Sequence, residues 1–417
     1  MHQVMRDVKL PRAKLDGVVR RRLRNVLVSA YWYVHYYREL MQSVGYNPVR
    51  NFHGPEDLSR LPITTKEVFK EGGIKAFVKD DSDLSQCFSD STSGSTGIPI
   101  KVYQSSYERA VHIAKWLRVL FLNGYSVRHR VMAITRPRNI KDERSIIQRF
   151  GILRRLAVDQ FLPTEKIVNI LLESKPDVLY GNRSHLDLTA LELKRRGKEP
   201  KGLKLVVGTG EVIYDSSRKL CREQFGVELV ESYGSTEMGV MAYETPAHDG
   251  LHLCEDLTYF EFLSEEGKPV PPGEPARVVV TDLTGKLMPF IRYDQGDRAV
   301  FQDVKDGSGN TVRRITRIFG REDDYIVLPN GSRRPYNDIN RIISSYSDIF
   351  QYRIVQRERT KFKILVVADT SYLVGIRDDL LCRLHEKFPT VNFDIFQVKR
   401  IEPDPSGKLR KFISEVD

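Results

Sequence analysis

The stretch from Glu165 to Val230 alternates helix-period segments with short apolar ones, and no other feature restricts the fold of this chain so tightly. The pattern predicts a helix from Glu165 to Ser174, a strand over Val178–Tyr180, a helix from Arg183 to Arg196 and a strand over Leu203–Val207. A helix near Ser216–Gln224 and a strand over Glu228–Val230 come next. Strands that alternate with helices in this way form βαβ units and a parallel sheet. Ligands of such sheets sit beyond the carboxyl ends of the strands. Three segments fall there: Gly181-Asn182, Gly208-Thr209-Gly210-Glu211, and Ser232-Tyr233-Gly234-Ser235-Thr236-Glu237.

The chain has 417 residues, more than a single hydrophobic core usually serves, so two or more structural units are expected. Apolar and aromatic residues at helical spacing, among them Leu23, Val26, Leu27, Ala30 and Tyr31, predict a long helical region from Arg12 to Val44. Thr64-Thr65-Lys66-Glu67 reads as a cap before a short helix. Short strands over Gln86–Phe88 and Ile98–Gln104 flank a loop from Ser89 to Gly97. From Leu251 to Phe319 the residues favour strands, with proline and glycine punctuation from Pro269 to Pro275, which suggests a small β subdomain. Beyond Gly320-Arg321-Glu322-Asp323-Asp324 comes a compact α+β pattern: strands near Tyr352–Val355 and Phe362–Val367, a helix near Tyr372–Phe388 and a strand near Phe393–Val398. The expected division is 1–322 and 323–417. The fold class is therefore α/β: a large N-terminal domain with a parallel βαβ sheet and a small β subdomain, followed by a small α+β C-terminal domain.

With 41% hydrophobic and 29% charged residues and no apolar run near the roughly 20 residues of a membrane helix, the composition is that of an ordinary globular protein without membrane insertion. Arginines interrupt the apolar residues up to Tyr37, which excludes a secretory h-region and leaves the cytoplasm as the expected compartment. Cys87, Cys221, Cys254 and Cys382 lack paired spacing and are expected as free thiols. The net charge of +11 is spread among many acidic residues, without a nucleic-acid-binding signature. Clusters such as Lys194-Arg195-Arg196 read as solvated helix faces, so the expected partners are small molecules rather than nucleic acid, and the chain a monomer or homodimer. His248, His252 and Cys254 fall within seven positions, but without a cysteine pair beside them a structural zinc is not the favoured reading.

Chemistry concentrates first at Ser91-Thr92-Ser93-Gly94-Ser95-Thr96-Gly97. Small side chains there let backbone N–H groups converge on a phosphate, and the hydroxyls add donors. A flexible Ser/Gly linker is the alternative on composition alone. It is not a Walker A loop, since Ile98-Pro99 stands where that motif needs lysine and a helix.

The segment resembles the phosphate loop of the acyl-adenylate-forming superfamily, which includes acyl-CoA synthetases, peptide-synthetase adenylation domains and luciferases. Tyr233-Gly234-Ser235-Thr236-Glu237 resembles the second core motif of that family, Tyr293-Asp294-Gln295-Gly296-Asp297 the third, Gly320 to Asp324 the interdomain hinge and Pro405-Ser406-Gly407-Lys408 the C-terminal lysine motif. All five occur in the family's order. Leu61-Pro62, Thr64-Thr65-Lys66 and the short C-terminal unit are most similar to the phenylacetate–CoA ligase branch, with its CapK-like members.

The resemblance implies an enzyme that uses ATP and Mg²⁺ to activate a small, aryl carboxylic acid as an acyl adenylate, releasing pyrophosphate and then transferring the acyl group to a thiol, that of CoA. An amide-forming ligase and an adenylyltransferase share the scaffold, and a nucleotide-binding protein without turnover or a basic RNA-binding module are the rivals of another class. By resemblance, Ser91 to Gly97 hold the β- and γ-phosphates, Thr236 meets the α-phosphate and shares the metal, and Glu237 ligates Mg²⁺, a hard cation suited to carboxylate. Tyr233 offers a face to adenine, with Gly234, Ser235, Gly210 and Glu211 lining the same pocket. Asp297 suits the ribose hydroxyls as a bidentate acceptor, and Arg321 is a second ribose or phosphate contact. Lys408 delivers a point charge to the carboxylate and α-phosphate, and Asp323 or Asp324 is the hinge about which the C-terminal unit turns. Tyr125, Arg136, Tyr180, Asn182 and His185 are candidates for acyl recognition, with Arg136-Pro137-Arg138 able to meet an acidic group.

Overall fold

The structure, a computed structural model, describes residues 5, 7–8, 10–91, 100–137, 146–306, 309–321, 325–346, 348–349, 351–401 and 409–416. The expected loop residues Thr92 to Gly97, the hinge residues Asp323 and Asp324, Arg138 and Lys408 lie outside the described residues, and of Arg321 the structure describes the strand but not the side chain. The chain divides into two compact units, Met1–Gly124 with Ser232–Phe319, and Tyr125–Glu231 with Gly320–Asp417. The segment expected to form the C-terminal unit thus falls with the βαβ stretch. Among the described residues no helix is long and apolar enough to cross a membrane. All four cysteines are free thiols.

In the first unit the expected single helical run is two helices, Arg12–Tyr33 and His35–Ser43. The break is Val34, a β-branched residue in an extended conformation (φ −125°, ψ 114°). It re-aims the second helix, so that Tyr37 and Met41 join Leu23, Val26 and Leu27 in one core. A capping box starts the helix Ser106–Leu122: the Ser105 N–H donates to Glu108 Oε2 (2.7 Å) and the Glu108 N–H to Ser105 Oγ (3.3 Å). The other Glu108 oxygen accepts the backbone N–H groups of Lys286 (2.6 Å) and Leu287 (2.9 Å), tying the helix start to the β-rich segment. That segment is antiparallel, in the order Thr258–Leu263, Pro275–Asp282, Tyr293–Lys305, Thr311–Arg321, Leu251–Leu253, Gly239–Tyr243. Its inward residues, including Phe260, Phe262, Val278, Val280 and Tyr293, pack with Phe69 and Phe77.

The second unit contains the parallel sheet read from the alternation. Its order is Leu205–Thr209, Val178–Asn182, Val131–Thr135, Arg155–Asp159, in parallel register throughout. The helices Thr164–Ser174, Arg183–Arg196 and Asp215–Phe225 match the predicted boundaries to within a residue or two. Ile167, Val168, Leu171, Leu186, Ala190 and Leu193 face the same core as Met132, Leu179 and Val206. In the 320–417 part, four strands run in the order Asn392–Gln397, Lys361–Val367, Gln351–Glu358, Phe412–Ser414, packed by the helices Asn337–Ser344 and Thr370–Lys387. Ile339, Ile354, Ile364, Leu380 and Leu384 form its core.

The strand expected at Glu228–Val230 runs from Leu229 to Ser235, so Tyr233, Gly234 and Ser235 are strand residues rather than loop residues beyond a strand end. The reason is an antiparallel partner the alternation could not reveal: Ser232 pairs with Tyr243 and Ser235 with Gly239. Likewise Ser89, Asp90 and Ser91 continue the strand Phe88–Ser91, paired with Lys101–Gln104, where a loop from Ser89 was expected.

Candidate functional site

In the first unit the hairpin pairing Ser232–Ser235 with Gly239–Tyr243 turns through Thr236, Glu237 and Met238. Two glycines allow it. A Cβ on Gly234 would lie 2.3 Å from the Gly239 carbonyl oxygen. Gly239 has φ +64°, and a Cβ there would also meet the His112 ring at 3.0 Å. The turn is braced from below: Met238 is fully buried, its N–H donates to Ser235 Oγ (3.2 Å) and its carbonyl accepts Lys115 Nζ (2.9 Å). Lys115 also donates to Thr258 Oγ1 (3.3 Å). His112, with Nδ1 2.9 Å from Gln104 Nε2, is pushed down to about 3 by burial and by the charges of Lys115 and Arg109, so it is a neutral packing residue at ordinary pH. The sequence singled out neither Lys115 nor His112, because nothing local marks a helix residue that supports a distant turn.

This turn presents Thr236, half-buried, and Glu237, whose Oε1 accepts the Tyr293 hydroxyl (3.0 Å). The Tyr293 hydroxyl thus fixes one oxygen of a carboxylate, the ligand type that suits a hard cation. Tyr293 is itself pinned, since Thr64 donates its backbone N–H to the Arg292 carbonyl (2.9 Å) and its hydroxyl to the Ile291 carbonyl (2.8 Å). Two residues further on, Gln295 Nε2 donates to the Tyr233 hydroxyl (3.0 Å), which donates to Asp297 Oδ2 (2.8 Å). The Asp297 side chain reaches Tyr233 because Gly296, at φ +81°, turns the chain while its N–H donates to Asp294 Oδ1 (2.8 Å). The second and third motifs, some sixty residues apart in sequence, thus meet through Tyr233–Asp297 and Glu237–Tyr293. Ser91, the one loop residue described, is half-buried and pairs with Lys101.

In the second unit, a Cβ on Gly208 would stand 2.8 Å from Ile213 Cδ1, so a larger residue there would require the Ile213 side chain to move. Three residues on is Glu211, with both carboxylate oxygens engaged. Oε2 accepts the Ser184 N–H (3.1 Å) and pairs with Arg183 Nη2 (2.7 Å), while Oε1 accepts the Ser184 hydroxyl (2.7 Å). It therefore caps the first turn of the helix Arg183–Arg196, where a carboxylate is favoured. Arg183, buried, also pairs with Asp187 (2.6 Å), which accepts Ser217 Oγ (2.9 Å). Burial opposes the Arg183 charge, but the Glu211 and Asp187 carboxylates outweigh it and hold its pKa above the ordinary value.

The acyl-recognition candidates divide. Tyr180 and Asn182 lie on the strand Val178–Asn182 and His185 in the helix after it; His185 is buried. Burial raises the Tyr180 hydroxyl above its ordinary value, against a hydrogen bond with Thr209. Tyr125 instead packs edge-on to His129 (5.8 Å between ring centroids) and donates to its carbonyl (3.5 Å), and Arg136 is half-buried just past the strand Val131–Thr135. His248 faces Glu244 (3.4 Å), His252 faces Asp249 (3.0 Å), and no group of three or more His, Cys, Asp or Glu residues is arranged to hold a metal among the described residues.

No family model matches the chain. It is 27% identical over 341 residues to a phenylacetate–coenzyme A ligase of Thermus thermophilus, an alignment spanning 76% of this chain and 73% of the relative. To the phenylacetate–coenzyme A ligase of Escherichia coli it is 26% identical over 338 residues, 76% of this chain and 73% of that one. A crystal structure of 2-hydroxyisobutyryl-CoA ligase, in the postadenylation state with an acyl-AMP, matches with a TM-score of 0.81 over 98% of this chain and 91% of that one, at 22% identity, and so shares the fold. With the five motifs in order and two of them joined by hydrogen bonds around one hairpin turn, the chain is similar in sequence to phenylacetate–CoA ligases and shares the fold of 2-hydroxyisobutyryl-CoA ligase.

Proposed function

We propose that the protein activates a small aryl carboxylic acid with ATP and passes the acyl group to the thiol of CoA. A carboxylate oxygen attacks the α-phosphorus, the bond to the β-phosphate oxygen breaks, and pyrophosphate leaves; the thiolate then attacks the acyl carbon and AMP leaves. The observation that carries the reading is the pairing of Tyr233 with Asp297 and of Glu237 with Tyr293, which fixes an aromatic ring and two carboxylates around one hairpin turn. Asp297 takes the ribose hydroxyls, Tyr233 presents its ring to adenine, Thr236 meets the α-phosphate, and Glu237 with its Tyr293-fixed carboxylate suits Mg²⁺. Held there, that ion would supply positive charge to offset the charge that builds on the phosphates. Preorganised donors and dipoles count for more here than side-chain acid–base chemistry, because charge builds on phosphate oxygens rather than on a transferred proton. Recognition of the acyl group is assigned to Tyr180, Asn182 and His185, and the point charge of the first half-reaction to Lys408. The cytoplasm, with its ATP and CoA, is the compartment this chemistry suits.

The test is a pyrophosphate-release screen across carboxylic acids with ATP and Mg²⁺, repeated with CoA and with amines. Release that depends on an aryl acid, with CoA consuming the adenylate, is the expected result. Release without a thioester would move the acceptor to an amine or hydroxyl, and no acid-dependent release would overturn the reading. A finer expectation attaches to Tyr233→Phe. Deleting a hydroxyl that donates to a carboxylate costs about 1.5–3 kcal/mol when the partner is left unmatched. Asp297 would lose its orientation toward the ribose, so the KM for ATP should rise roughly tenfold or more, with thermal stability changed much less. Steady-state kinetics at saturating acid measure this directly, and an unaltered KM would remove Asp297 from the nucleotide site.

A further inference from the structure

Outside this site, Lys411 stands in surroundings unusual for a lysine, and no motif in the sequence marks it. Its carbonyl accepts the Ile354 N–H (2.7 Å), and the adjoining strand Phe412–Ser414 pairs in parallel with Gln351–Glu358. Its side chain leaves that sheet. Nζ donates to the Tyr352 hydroxyl (2.9 Å), lies 4.1 Å from the Tyr352 ring centroid and 3.5 Å from that of Tyr214. Tyr214 is the N-cap residue of the helix Asp215–Phe225, and its hydroxyl is 3.2 Å from that of Tyr336, the residue before the helix Asn337–Ser344. The Arg183 guanidinium lies 5.4 Å from the Tyr214 ring and is paired with Glu211 and Asp187. A continuous set of contacts, Glu211–Arg183–Tyr214–Lys411–Tyr352, therefore joins the Gly208-to-Glu211 motif to the last strand of the chain.

We propose that Lys411 is a positioning residue for adenylation: held between the Tyr214 and Tyr352 rings, it fixes the C-terminal segment against the Glu211 motif during the first half-reaction. The inference rests on the adenylation reading above. Lys408 precedes Lys411 by three residues, and three residues span at most about 10 Å, so fixing one confines the other. Cation–aromatic contact on two rings is directional and does not require a hydrophobic interface. A cleft lined by Arg183, Asp187, Ser217, Leu409, Tyr352 and Lys411 runs alongside this contact. The groups facing the ammonium are Arg183, Asp187, Glu211, Tyr214 and Tyr352. Burial, then the Arg183 charge, depress its pKa well below the lysine range, while Asp187 and Glu211 pull it back.

Lys411→Ala should lower acid-dependent pyrophosphate release ten- to a hundredfold and leave thioester formation from a supplied acyl adenylate and CoA within about twofold of the parent. Lys411→Arg, which can stack on aromatic faces, should restore pyrophosphate release to within about fivefold. Hydrogen exchange should quicken at Asp215–Phe225 and Gln351–Glu358 in the alanine variant. Equal losses in both half-reactions would make the role merely structural and overturn the proposal, as would no loss in either. If the parent protein releases no pyrophosphate with any acid, the adenylation reading fails. The contact itself is then judged by exchange, and unchanged exchange in the alanine variant overturns it.

Discussion

Lys408→Ala is expected to lower substrate-dependent pyrophosphate release by about 10²–10³-fold while partly sparing conversion of a supplied acyl adenylate to the thioester. The magnitude is that of removing one preorganised charge partner from a developing oxyanion. The asymmetry comes from the chemistry. Attack on the α-phosphorus brings a carboxylate against a polyanion, where a point charge has most to neutralise, whereas thiol attack expels a stable AMP. Lys408 itself lies outside the described residues, but its C-terminal neighbours are anchored: Leu409 is buried, and the Arg410 carbonyl accepts Arg353 Nε (3.0 Å). The assay is pyrophosphate release with ATP and acid, set beside thioester formation from synthetic acyl adenylate. Unchanged pyrophosphate release would sink the assignment. A difference from Lys411→Ala is also expected, since arginine at 411 restores function by stacking, whereas arginine at 408 would have to reproduce the placement of a compact ammonium and should not.

The largest effect on stability is expected from Asp256→Ala, at about 3–5 kcal/mol. Arg118 is fully buried, and its two terminal nitrogens donate to the two Asp256 oxygens at 2.8 and 2.7 Å. Burial opposes the Arg118 charge, but the hydrogen bonds and charge of Asp256, with Cys254 and Tyr243 contributing, raise its pKa above the ordinary arginine value. Removing the carboxylate would therefore leave a cation that cannot shed its proton inside the first unit. Such a loss is a large part of a typical domain's 5–15 kcal/mol. Replacing both partners, Arg118→Met with Asp256→Leu, should recover most of it, because no buried charge remains unmatched. Denaturant titration of the single and double variants measures both. An Asp256→Ala midpoint equal to that of the parent would mean that the pair adds nothing.

Much of the fold was legible because its signals are local. Helix boundaries such as Arg183–Arg196 come from hydrophobic spacing that any short window contains, and strands alternating with such helices favour βαβ units in a parallel sheet. The break at Val34 was not legible, because it is set by which core the residues beyond it enter, not by a proline or glycine in the run. The same limit hid the extension of the strand Leu229–Ser235: its antiparallel partner lies after the turn, and register is decided between segments.

By itself the sequence determined the parallel sheet, the order of five motifs and the residue types at the site, since each depends on spacing or on the chemistry of a single side chain. Only the tertiary structure decided that Tyr233 meets Asp297, that Glu237 is held by Tyr293, that Glu211 is committed to Arg183 and Ser184, and that Lys411 lies between two tyrosine rings. Those are pairings between residues far apart in the chain. Their formation depends on loop closure and packing, which no local pattern records.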